Sequence, residues 1–94
     1  MVPRVCCQGS VFFEKIWPEF FRYVWSGEKT FELRKDDRGF RAGDTLRLRE
    51  WFENSGYSGR EVMAEASYIE SGLGLKDGWV IIAIRHAVLF SNLG

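Results

Sequence analysis

Apolar and polar side chains alternate with a period of two in three separate stretches of this 94-residue chain, while only one stretch carries a helical period. Along Thr30–Arg34, Phe31 and Leu33 point to one side and Thr30, Glu32 and Arg34 to the other, as a half-buried strand requires. Thr45–Trp51 turns Leu46 and Leu48 inward and Arg47 and Arg49 outward. Glu61–Ile69 sets Val62, Ala64, Ala66 and Tyr68 against Glu61, Met63, Glu65 and Ser67, and its alanines suit a tight interior or a bend. Two further runs favour strand. Val11–Ile16 is rich in β-forming residues, and Trp79–Ile84 is a continuous apolar run of the kind buried on both faces.

The helical stretch opens at Trp17-Pro18-Glu19, where proline suits the first turn and the glutamate complements its positive end. Phe20, Phe21, Val24 and Trp25 form its apolar stripe, and Gly27 suits a left-handed cap. Asn54–Gly59 has the composition of a hairpin loop, Gly72–Gly78 is a glycine-rich loop, and Ala87–Gly94 either adds an edge strand or trails away. The expectation is a mainly β (α+β) fold. It is a small, closed or nearly closed β-barrel of about five to six strands with one N-terminal α-helix, since closure removes exposed strand edges. Residues 1–94 form one domain, with 1–10 and 87–94 as unassigned extensions.

Eight Phe, four Trp and three Tyr belong to a folded chain. Thirteen basic residues balance thirteen acidic ones, which excludes a global positive field of the kind that binds long duplex DNA. The charge is uneven, however. Residues 27–49 hold seven basic and five acidic groups, whereas residues 50–78 hold two and six, so a basic edge lies beside an acidic flank. Cys6 and Cys7 are adjacent and without a partner, which reads as reduced thiols in a cytoplasmic protein. No apolar run reaches the ~20 residues of a membrane helix, and the N-terminus does not read as a signal peptide. No cofactor or metal is expected, and the chain reads as a monomer.

The run Gly27-Glu28-Lys29-Thr30-Phe31-Glu32-Leu33-Arg34 concentrates the chemistry. Glu32 and Arg34 either pair as a solvated ladder or floor a cleft for a polar or anionic ligand. Arginine offers phosphate a fork and Lys29 a point charge, while Glu32 can accept from a nucleobase amino group. Arg49, Glu50 and Trp51 supply a candidate wall, and Lys76 a candidate rim. Trp17, Trp25, Trp51, Tyr57, Tyr68 and Trp79 offer stacking surfaces, most of them needed as core, with Trp51 and Tyr57 the best placed for exposure. His86, the sole histidine, ends a core strand and reads as packed or solvated.

Gly27-x-Lys29-x-x-Glu32-x-Arg34 resembles the G-x-K-x-x-E-x-R signature of ASCH domains in the PUA-like superfamily. Around it, Lys15–Phe21, Gly27–Arg38, Gly43-Asp44, Leu48–Trp51, Gly56–Glu61 and Gly72–Gly78 resemble, in order, a bacterial and phage branch known as a domain of unknown function, DUF3850. The resemblance implies a PUA-like barrel and RNA or a nucleotide-like ligand in a cleft on the signature strand, with Lys29, Thr30, Glu32 and Arg34 among its contacts. It tips the Glu32/Arg34 alternatives toward the cleft. Ribonuclease-like and amidohydrolase precedents exist among similar proteins. The amidohydrolase pattern needs a Thr where Glu32 stands, which weakens that reading; catalytic candidates are Lys29 and Glu32. A third reading is a phage or mobile-element interaction module, with Val88, Leu89 and Phe90 meeting a protein partner.

Overall fold

The computed structural model describes residues 9–92, so Cys6 and Cys7 lie outside the described residues. The elements run β1 (Val11–Ile16), α1 (Pro18–Ser26), β2 (Phe31–Lys35), β3 (Thr45–Phe52), β4 (Gly56–Glu70) and β5 (Trp79–Ser91). They form one curled sheet in the order β1-β3-β4-β5-β2, a half-barrel of five strands with one short helix. β1 pairs with β3 in parallel and every other pairing is antiparallel. The two edge strands are therefore β1 and β2. They come from neighbouring parts of the chain but share no ladder, which leaves a seam along one side.

α1 follows its sequence signals. Trp17 precedes it in extended conformation, Pro18 opens its first turn, and Gly27 ends it at φ 87°, a left-handed angle that glycine adopts without a Cβ penalty. Phe21 and Val24 are buried against the sheet and Trp25 packs beside them. Phe20, expected in the same stripe, is exposed, because it sits at the margin of the helix's packed face and turns toward the seam. Leu46, Leu48, Val62, Ala64, Ala66, Val80, Ile82 and Ile84 complete the core with Ile16 and Phe40.

Three details differ from the periodic reading. The hairpin loop is shorter than Asn54–Gly59: Phe52 pairs with Gly56, whose φ of 81° reverses the chain within three residues, so Tyr57, Ser58 and Gly59 belong to β4. Tyr68 leaves the inner face. A bulge between Ala66 and Tyr68 shifts the alternation, so Tyr68 is 57% exposed and Ile69 packs on the core instead. β5 is buried on one face only; Val80, Ile82 and Ile84 are enclosed while Trp79, Ile81 and Ala83 are half-covered, because α1 and the curl protect a single side. Its end, Val88–Ser91, pairs with Arg60–Met63 as a continuation of β5 and not as a separate edge strand.

Glu50 stands on the inner face two positions after Leu48 and is buried. Arg60 meets it with two hydrogen bonds, Nε to Oε1 and Nη2 to Oε2, both 3.0 Å, and Ser58 Oγ donates to Oε1 at 2.7 Å. The same guanidinium lies 5.1 Å from the Trp25 ring and so joins β3, β4 and α1. This carboxylate, expected in a ligand wall, serves instead as an internal strut. Removing Arg60 takes two charge-assisted hydrogen bonds from the buried Glu50, and because the Arg60 side chain is about a third exposed the cost is about 1.5–3 kcal/mol, below that of a fully buried pair. Arg60→Ala should lower the unfolding free energy in urea by that amount. Glu50→Leu/Arg60→Met should lose clearly less, and an equal loss in the double variant would refute the strut.

Candidate functional site

β2 is inverted relative to the usual half-buried strand. Glu32 and Arg34 pair with Ile82 and Val80 of β5 and share their inward face, so Glu32 is only 4% exposed. Phe31 and Leu33, the apolar members, face out at 43% and 47% exposure. Across the seam, β1 makes the matching arrangement: Phe12, Glu14 and Ile16 point inward beside Leu46, Leu48 and Glu50. Two edge strands thus each present a carboxylate to the same interior space.

Arg34 bridges that space. Its Nη2 donates to the Lys15 carbonyl at 3.0 Å, Nη1 lies 3.2 Å from Glu14 Oε1, and Nε lies 3.6 Å from Glu32 Oε1. Arg38 reaches the other Glu14 oxygen at 3.3 Å. Lys29, held at the end of α1 by its backbone N–H donating to the Tyr23 carbonyl at 2.9 Å, places its ammonium 5.5 Å from the Phe20 ring and 5.3 Å from the Phe31 ring. These groups surround a hollow of about 580 Å³, within the range of small-molecule and cofactor sites. Trp17, Phe20, Phe40 and Trp79 give it aromatic walls, and five basic side chains on its lining face three acidic ones.

Three buried polar atoms among the described residues have no hydrogen-bond partner: Glu14 Oε2, Glu32 Oε2 and Arg34 Nε. All three belong to residues that line this hollow. Buried polar groups are rarely left unpaired, because each carries its desolvation cost uncompensated. Of the three, only Glu32 Oε2 is without any partner. Glu14 Oε2 and Arg34 Nε have ion-pair contacts at 3.3 and 3.6 Å but no hydrogen bond, so all three keep hydrogen-bonding capacity beneath a cationic rim.

The sequence-derived candidates separate into groups. Lys29, Glu32 and Arg34 meet at the hollow. Thr30 is exposed, and its carbonyl accepts from Ile84 N–H at 3.0 Å at the head of β2, off the lining. Arg49 lies on the outer face with its guanidinium 4.0 Å from the Tyr57 ring, and Trp51 lies beneath Lys15 at 4.2 Å. Glu50 is committed to Arg60. Lys76 is exposed on the Gly72–Gly78 loop and does not line the hollow. His86 is exposed at φ 55°, 4.0 Å from Glu65, so it is solvated and far from packed. Val88, Leu89 and Phe90 are exposed on the end of β5. Glu14 and Phe40 have no site role in the sequence reading, and Arg38 enters it only as part of the charged run that follows Arg34. The available signal for Glu14 is its place in Phe12-x-Glu14-x-Ile16, a carboxylate on the apolar side of an alternating strand.

Burial raises the Glu32 carboxyl above its ordinary value near 4.5, outweighing the nearby Lys29 and Arg34 charges that act to lower it, while Glu14 adds to the rise. Between the ordinary and the raised pKa the folded chain holds more proton than the unfolded one. Stability from this group is thus fully present below the ordinary value and is lost as pH rises through the folded-state value. Glu32→Gln cannot ionise. Melting temperatures measured from pH 4 to pH 8 should move in the variant's favour as pH rises, and a pH-independent difference would exclude this account.

Residues 14–84 match a family model described as a domain of unknown function, DUF3850. A protein of Escherichia phage P2, the "Uncharacterized 12.9 kDa protein in GpA 3′region", is 42% identical over 75 residues, 80% of this chain and 65% of the phage protein. The chain thus spans slightly under two-thirds of that relative's length. The family match runs from Glu14 on β1 to Ile84 on β5 and takes in both walls of the hollow: the chain belongs to the DUF3850 family.

Proposed function

We propose that the seam hollow binds a nucleotide or a short single-stranded RNA. The single observation that carries this reading is that three buried atoms lacking a hydrogen bond, Glu14 Oε2, Glu32 Oε2 and Arg34 Nε, belong to residues lining one aromatic-walled hollow. Two carboxylate oxygens suit the N–H groups on the polar edge of a base, and the guanidinium N–H suits a ring nitrogen or carbonyl. Trp17, Phe20 and Trp79 offer apolar surface to the flat faces of the same ligand. Lys29, Lys35 and Arg38 on the lining suit an anionic phosphate. The resemblance of Gly27–Arg34 to the ASCH signature supports the same ligand class.

Titration of the tryptophan fluorescence with nucleosides, nucleotides and short RNAs at low salt tests this. Saturable binding is expected, weakened by Lys29→Ala and by Arg34→Ala about tenfold or more each, the range for hydrogen bonds to charged groups. Absence of binding by the unaltered chain, or equal affinity in both variants, would end the proposal.

The raised Glu32 pKa favours a second reading on the same residues, namely hydrolysis of RNA or of an acylated nucleoside. Glu32 then takes the proton of a ribose 2′-hydroxyl whose oxygen attacks phosphorus as the P–O5′ bond breaks, or of a water that attacks the acyl carbon as its bond to the nucleoside breaks. Lys29 offsets the developing negative charge, and the protonated Glu32 returns the proton to the leaving atom. Incubation with labelled RNA and with acylated nucleosides should give turnover that Glu32→Gln abolishes. Turnover that persists in Glu32→Gln would remove Glu32 from this role.

A further inference from the structure

The outer face of β1 and β3, beside the seam, carries a second feature. Lys15 Nζ lies 4.2 Å from the Trp51 ring, Arg49 lies 4.0 Å from the Tyr57 ring, and the Arg47 guanidinium lies 5.0 Å from the Phe13 ring. Trp17 meets Trp51 edge to face at 5.3 Å. Arg47 is paired with Glu61, but Lys15 and Arg49 have no carboxylate within ion-pair distance among the described residues. Phe13, Trp17 and Tyr57 are each more than two-fifths exposed, so aromatic surface and unpaired cations are open to solvent together. Phe13, Lys15, Trp51 and Tyr57 line a depression of about 350 Å³, and Arg49 stands at its margin against the Tyr57 ring.

This depression is not separate from the seam. Glu14, Lys15, Trp17, Arg34 and Arg38 line both it and the larger hollow, so the two meet around the edge of β1. A cation stacked on a ring keeps its outward N–H groups for phosphate, and exposed ring surface is left for a base. Alternating cations and aromatic rings that leave one pocket and continue along a surface suit a backbone that carries one charge and one flat ring per repeat. A mononucleotide fills only the first pocket.

We infer that the Lys15–Arg49–Trp51–Tyr57 face is a second nucleotide subsite, so the ligand is a single-stranded oligonucleotide of two or more residues. This rests on the nucleotide reading of the seam and goes beyond it by setting the ligand's length and path. The shared chemistry is a phosphodiester carrying successive bases, which RNA and DNA both provide.

Fluorescence anisotropy of labelled mono-, di- and trinucleotides, each as RNA and DNA, at fixed low salt separates the possibilities. Affinity should rise at least tenfold from one nucleotide to three, the range for one added stacked base being about 5- to 150-fold. Arg49→Gln/Tyr57→Leu, which keeps bulk on this outer face, should lower trinucleotide affinity about tenfold while leaving mononucleotide affinity unchanged. Arg49→Gln alone should reduce the log–log salt slope for the trinucleotide by about 0.7, one phosphate contact on a single strand. Melting curves establish that the variants fold. Equal affinity for one and three nucleotides, or equal losses for both in the double variant, overturns the second subsite while the seam reading stands. Binding of none of these by the unaltered chain overturns both. An advantage of RNA over DNA places the discrimination at the sugar, and equal binding of the two supports the shared phosphodiester chemistry.

Discussion

Arg34 joins two strands that share no backbone ladder. The sheet leaves β1 and β2 at opposite edges, and its curl brings those edges face to face without pairing them. One guanidinium closes the distance by donating to the Lys15 carbonyl and approaching Glu14 and Glu32. Lysine could not replace it. A point charge cannot serve a carbonyl and two carboxylates in three directions at once, whereas the planar fork does so from a single rotamer. Because the closure is made by side chains, the space behind it stays hollow. A backbone-paired seam would have zipped it shut.

The interior therefore contains carboxylates in two different states. Glu50 is neutralised by Arg60 and Ser58 and ties α1 to the sheet through Trp25. Glu14 and Glu32 are incompletely satisfied, and burial dominates at Glu32 to the point of raising its pKa. A small domain has few kcal/mol in reserve. An arrangement that leaves buried oxygens short of hydrogen bonds works against stability. Glu50 and Glu32 are both buried acids on alternating strands, and they differ in the partners around them.

Much of the architecture was legible in the chain. Period-two runs marked β2 and β3 and most of β4, Pro18 and Gly27 bracketed α1, and Lys29, Glu32 and Arg34 were close enough in sequence to be read as a group. What escaped was set by tertiary pairing. Polar alternation at Thr30–Arg34 says nothing about which face turns inward, since an edge strand can bury its polar side when a partner strand supplies Glu14 and a rim of cations. Tyr68 departs from the face its alternation implies because a bulge resets the period without a glycine or proline to announce it. Glu50 and Ser58 are joined across a hairpin whose length depends on the positive φ of Gly56 at its turn. Arg49 and Trp51 lie on one strand with Glu50, yet the pleat and the bulge between Arg49 and Trp51 send them to the other side of the sheet from it.

The order of the ladder carries a consequence for how the molecule assembles. β3 and β4 are joined by a three-residue turn and can pair early, whereas β1 must find β3 across more than thirty intervening residues and β2 must wait for β5, some fifty residues on. Closing such long loops precedes the contacts that reward it. Both rims of the hollow are thus recruited from the slowest pairings in the chain. By sequence separation, the face carrying Glu14, Glu32 and Arg34 is completed by the most distant pairings, and the β3–β4 hairpin beside it by the nearest.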